Sequence, residues 1–286
     1  MNKHALDRLA TVVLYVTGAV IVGILLFFLL FILGRGLPVL TPDFIFGRPS
    51  EVAAGGGVGP QLFNTFYVLG LSLLFSLPVG VGAGIYMAEY ARAGRLTYVF
   101  RLATECLATV PSIVIGLFGM ILFVNAFGLG FSIIGGAAAL AVLNLPVLVR
   151  VTEEALRAVP RAYREAALAL GATRWQTVRK VVLPSALLSL ATGVTLVTGR
   201  AFGEAAVLIF TAGTSVSRYF PDLNPLAAGE TLAVHLWYVN AEALVPDAPR
   251  IAAGTAALMI IIVLFFNLFL GSLTRTLQKR LGGKTV

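Results

Sequence analysis

Apolar residues fall into long blocks along this chain, separated by shorter polar stretches. A helix needs about 20 apolar residues to cross the hydrocarbon core of a bilayer. Leu9 to Leu33 meets that length, with no charge between Arg8 and Arg35. It is too long for the apolar part of a signal peptide and lacks a small-residue cleavage site, so it reads as a retained helix. Further spans are predicted at about Gln61–Ala88, Leu107–Phe127, Ser132–Val149, Ser185–Phe210 and Ile251–Leu273. The second contains Pro78, Gly80, Gly82 and Gly84, and glycines in membrane helices let backbones approach closely. Gly34–Pro60, with Gly55-Gly56-Gly57, reads as a loop. The pattern predicts an all-α integral membrane protein of six transmembrane helices.

Composition supports that reading. Of 286 residues, 58% are hydrophobic and 12% charged, about half the charge of an ordinary soluble domain; mean hydropathy is +0.94. The net charge of +8 raises the question of nucleic acid. The distribution of the 21 Lys and Arg answers it. Two lie near the start, three in 89–105, seven in 150–180 and four in the tail, sixteen on one predicted side. Arg35, Arg48, Arg218 and Arg250 lie on the other, and Arg200 falls inside a span. That asymmetry places both termini and the 150–184 loop in the cytoplasm. A single cysteine, Cys106, excludes an intrachain disulfide, and His4 and His235 are too isolated to argue a metal site.

The loop after the fourth span is unlike the others. Pro160 suits the start of a helix, and Arg161 to Leu170 is rich in helix formers. Gly171 is placed to end that helix in the left-handed conformation. Thr173 and Gln176 then form a capping-box pattern for a second helix ending near Pro184, where the fifth span begins. A cytoplasmic helix-turn-helix results. A solvated loop on the membrane surface would need apolar residues facing lipid, whereas Ala166, Ala167 and Gly171 are small, as where another backbone approaches.

The spacing Glu165-Ala166-Ala167, three residues, Gly171, nine residues, Val181, one residue, Leu183-Pro184 resembles the coupling loop of ABC-importer permeases. That family most often has Ile where this chain has Val181. The resemblance implies a type I ABC importer permease fold, in which this helix pair docks into a groove of a cytoplasmic ATPase subunit. Glu165, Ala166, Ala167, Gly171, Leu183 and Pro184 would carry the coupling. ATP and magnesium would be used by that partner; no cofactor is expected on this chain, and it is not expected to be an enzyme. In agreement, its Gly-Lys-Thr, Gly283-Lys284-Thr285, has Gln278 where a phosphate-binding loop needs its first glycine.

Within the fifth span, Arg200 and Glu204 are four residues apart, which on a continuous helix puts them on one face. From Ser185 to Arg200 a helix rises about 22 Å. A charge at that depth needs a partner or water. Two readings stay open: a neutralised structural ion pair, or a charged lining of a transport path. An arginine fork suits an oxyanion such as phosphate. The segment Arg200–Gly213 is similar to span five of phosphate-importer permeases, and Leu77–Tyr90 to their span two. The glycine run before Pro60 resembles the A-type subunit (PstA) of those importers.

That resemblance implies a translocation subunit of an ATP-driven phosphate importer in a bacterial-type inner membrane. Its partners would be a related permease in a heterodimer, two ATPase subunits and an external phosphate-binding protein. The domain reading is 1–60 as an N-terminal helix and external loop, 61–273 as the permease domain, and 274–286 as a basic cytoplasmic tail. The alternatives are a permease for sulfate or molybdate, or a secondary transporter driven by an ion gradient. An intramembrane enzyme would need paired catalytic groups, and only Arg200 and Glu204 are on offer.

Overall fold

The structure is a computed structural model that describes residues 3–50, 54–217, 219–242 and 245–282. Arg218 and the Gly283–Thr285 triplet lie outside the described residues. The described chain is helical, without strands.

Helix α1 (Lys3–Gly36) is long and apolar, and its apolar stretch is not buried by the rest of the chain. It meets the bundle at its far end, where Gly36 fits against Ala253 and Ala257. A short turn leads to α2 (Pro42–Phe46), capped by Thr41, whose hydroxyl accepts from Phe44 N at 3.2 Å. Helix α3 (Gly59–Ile85) continues into a π-helical turn, Tyr86–Tyr90.

The chain then departs from the predicted third span. Helix α4 (Arg95–Thr109) and α5 (Ser112–Gly119) meet at a 100° bend. Pro111 follows Val110, which takes an extended conformation (φ −64, ψ 130), as sterics before a proline require. Beyond the bend, α5 and its π-helical extension Met120–Ala126 rise only about 22 Å, short of a full crossing. Helix α4 buries no residue of its own and is tied to the bundle by Arg101 and Glu153 at 2.9 Å. Five helices are long and apolar enough to span, and six only if this bent pair counts as one.

Helix α6 (Ile133–Arg157) is the central element. Ser132 caps it, accepting from Gly135 N at 3.2 Å. Its most extensive packing is against α3, where the backbones come very close. A Cβ at Gly80 would lie 2.7 Å from that of Leu148, and one at Gly84 would collide with Thr152. The short helices α7 (Arg161–Ala169) and α8 (Arg174–Thr177) follow, then α9 (Leu183–Phe202), α10 (Ala206–Ile209), α11 (Leu232–Ala241) and α12 (Ala248–Gly282). The outer connections, read as loops, therefore hold α2 and α11.

Three apolar clusters hold the bundle. The central one joins Val68, Ile115, Leu140, Phe202, Leu208 and Val234 from α3, α5, α6, α9, α10 and α11. A second gathers Phe44, Val58, Leu232, Ile251 and Leu258. The third sits under the 150–184 loop and joins Leu156, Val159, Val182, Ala186 and Leu190.

Gly82 lies in the same glycine run as Gly80 and Gly84 but has open space around it. Gly84→Val should therefore destabilise by about 1–3 kcal/mol through overpacking. Gly82→Val should be near neutral. Melting of the detergent-solubilised protein separates the two.

Candidate functional site

The 150–184 loop folds as its spacing predicts over most of its length. Pro160 stands one position before α7. The helix ends on Gly171, the residue with φ +81, and Ala172 N donates to Ala167 O at 3.1 Å across the turn. A glycine accepts that backbone without the steric penalty of a side chain. Both bonds of the capping box are made: Gln176 N to Thr173 Oγ1 at 3.2 Å, and Thr173 N to Gln176 Oε1 at 2.9 Å.

Helix α8 does not stop before the fifth span. It passes through a π-helical turn, Val178–Val182, directly into α9, so that one rod runs from Arg174 to Phe202. Pro184 falls in the first turn of α9, where its missing N–H is tolerated. The predicted break at Pro184 is absent for that reason.

The helix pair encloses an open depression of about 580 Å³ lined by Tyr163, Ala166, Ala167, Leu170, Gly171 and Gln176, among others. Ala167 is buried at its base, Ala166 and Glu165 are exposed, and Glu165 makes no ion pair among the described residues. Leu183 packs into the apolar cluster below, and Pro184 sits at the start of α9, away from the depression. The structure thus brings Ala166, Ala167 and Gly171 together and leaves Leu183 and Pro184 apart from them. Large apolar side chains were missed in the sequence: Leu170 is 90% exposed and Trp175 57%.

The charges of the fifth span are not a same-face pair. Helix α9 ends at Phe202, and Gly203 N closes it on Arg200 O at 3.2 Å. Glu204 lies beyond that end, and its Oε1 accepts from Val207 N at 3.3 Å at the start of α10. Gly203 interrupts the helix, so the four-residue spacing no longer stacks the side chains. Arg200 pairs with no carboxylate among the described residues. It is exposed and shares a cavity of about 450 Å³ with Asn267 of α12, between Val147, Leu196, Val197 and Val263. Gly199 faces the same amide: a Cβ there would stand 3.5 Å from Asn267 Oδ1, an ordinary contact. Asn267 is the lone amide in Ile260–Leu270, a signal available in the sequence.

A buried polar cluster ties the ends of α3 and α11 together. Gln61 Nε2 donates to Glu230 Oε2 at 2.8 Å, and His235 Nδ1 lies 3.1 Å from the same oxygen. Thr65 Oγ1 accepts from Leu232 N at 2.9 Å, and Asn64 Nδ2 donates to Glu230 O at 3.1 Å. From sequence, Thr211–Arg250 reads as a long, more acidic outer loop. In that connector Asp222 is held below the ordinary carboxylate range, first by a hydrogen bond from Ser217 and then by Asn224 N–H.

Residues 80–283 match the family model described as binding-protein-dependent transport system inner membrane component. The chain is 47% identical over 291 residues to a probable ABC transporter permease protein, YqgI, of Bacillus subtilis, covering 98% of this chain and 99% of that protein. It is 36% identical over 253 residues to the phosphate transport system permease protein PstA of Haemophilus influenzae, covering 88% of each. Among solved structures it is similar to a bacterial alginate ABC transporter in complex with an alginate-pentasaccharide-bound periplasmic protein. That likeness has TM-score 0.62 at 16% identity, over 93% of this chain and 96% of the other.

Thr173→Ala should remove the cap of α8 at a cost of about 1 kcal/mol. Amide hydrogen exchange at Gln176 should then speed up roughly five-fold while exchange in the core of α6 is unchanged.

Proposed function

We infer function from one premise: the chain belongs to the binding-protein-dependent transport system inner membrane component family. It is an ABC importer permease subunit with the type I permease fold, a multi-pass protein of the inner membrane. We propose that its cargo is inorganic phosphate and that both termini and the 150–184 loop face the cytoplasm. The partners in this reading are a related permease, two ATPase subunits that use ATP and magnesium, and an external phosphate-binding protein.

For coupling, the support is the exposed face of α7 and α8. Its small residues leave a depression lined also by the exposed Leu170, and Trp175 of α8 is exposed as well. A helix pair offered this way suits a groove on a partner. Glu165, Ala166, Ala167 and Gly171 would meet the ATPase; Leu183 and Pro184 would fix the loop to the span beneath.

For the cargo, the observation that carries the reading is Arg200. It lines one cavity with Asn267, inside a helix apolar enough to span, and no described carboxylate pairs with it. A charge there is costly unless it serves a path or a partner. A planar fork of donors matches a tetrahedral oxyanion, and an amide adds a donor without adding charge. Similarity to PstA favours phosphate among the oxyanions. Glu204, occupied at the start of α10, would line the path further out rather than neutralise Arg200.

Capture of this chain from its native membrane should bring down an ATPase subunit and a phosphate-type binding protein. Ala166→Trp should abolish ATPase capture while the second permease stays bound. Arg200→Ala should abolish phosphate uptake with the complex assembled. Uptake inhibited by sulfate or molybdate rather than by unlabelled phosphate would transfer the cargo to those anions.

A further inference from the structure

One buried arginine in the loop has a use that docking does not explain. Arg164 stands on α7 next to Glu165, but it points inward and is four-fifths buried. Its Nε lies 3.1 and 3.2 Å from the two oxygens of Glu89, and one terminal nitrogen lies 2.6 Å from Glu89 Oε1. That nitrogen also donates to Leu156 O at 2.8 Å, and the other donates to Val159 O at 2.8 Å. One guanidinium therefore binds three elements. They are α7, the π-helical turn that ends the second span, and the C-terminal end of α6.

Each bond has a local reason. Leu156 O, at the end of α6, also accepts from Val159 N at 3.2 Å, and a carbonyl has a second lone pair for the arginine; a cation there also suits the helix dipole. Glu89 is itself largely buried, at 12% exposure, and Arg164 is the cation paired with it among the described residues. A fork of donors holds a carboxylate in one orientation, which a lysine cannot do. One π-helical turn, Tyr86–Tyr90, carries Glu89, and a second, Val178–Val182, begins beside the clamp. Such turns often occur where a helix serves a function. Beneath lies the cluster of Leu156, Val159, Val182 and Ala186, with Val81, Ile85 and Ala88 of the second span packed against it.

We propose that Arg164 is the positioning residue that transmits movement of α7 to the second span, through its clamp on Glu89 and the end of α6. This rests on the reading that α7 docks an ATPase. A push on α7 must then carry the π-helical turn and α3 with it. Without the clamp, the loop can move while the spans stay behind. The role differs from docking, because Arg164 faces the bundle while Glu165 and Ala166 face outward.

The test uses the whole complex in proteoliposomes. Cys106 is replaced by Ser and a single cysteine is placed at Gly82, an open and exposed position on α3. Maleimide labelling is timed with and without Mg-ATP, so the readout does not depend on the cargo. In the parent, ATP should change the labelling rate. Arg164→Lys and Glu89→Gln should retain ATPase capture and ATP hydrolysis. Their coupling should weaken roughly two- to thirty-fold, read as a with/without-ATP rate ratio closer to one. Glu89→Gln is nearly isosteric, which guards against loss of the fold. A parent-like ratio in both variants overturns the proposal, as does a parent whose position 82 does not respond to ATP. A parent that captures no ATPase overturns the docking reading instead.

Discussion

The α3–α6 seam is the constraint on which the rest of the bundle depends. In lipid there is no water to drive apolar surfaces together, so helices associate through close packing and the few polar bonds between them. Gly80 and Gly84 set how close the two backbones come, against Leu148 and Thr152. With that distance fixed, the cluster around Leu140 and Phe202 closes over the middle of the seam, and the cluster around Leu156 closes over one end. Glu89 is then delivered to the mouth of the loop, and Gln61, at the opposite end of α3, to Glu230 and His235.

Both ends of the second span are thus tied by buried polar groups, but by different chemistry. At one end a guanidinium and a carboxylate meet with two backbone carbonyls. At the other an amide and an imidazole share one carboxylate oxygen. The first tie draws in the surface loop, the second the outer connection. The span between them is glycine-rich and packs along α6.

Much of this was legible in the chain. The apolar blocks gave the helices, because a 20-residue run without charge has few other uses. Gly171, Thr173 and Gln176 gave the loop its turn and cap, because those conformations are local and each residue type satisfies them for a stated reason. Two features were not legible. The bend at Pro111 depends on what lies on either side of it, and a proline alone signals a kink without its angle. The end of α9 at Phe202 depends on Gly203 being allowed to break the helix, while the same residue is tolerated in membrane helices elsewhere. Spacing alone therefore put Arg200 and Glu204 on one face. The inward turn of Arg164 was hidden as well, since a basic residue in a basic loop looks solvated until its partner, 75 positions away, is known.

The absence of a break at Pro184 has a mechanical meaning. From Arg174 to Arg200 the backbone is one rod of about 39 Å. A lever of that length magnifies small rotations at its base. A tilt of about 5° about the loop end swings Arg200 sideways by roughly 3 Å over that rise. That is the length of one hydrogen bond, enough to separate a guanidinium from whatever it was holding.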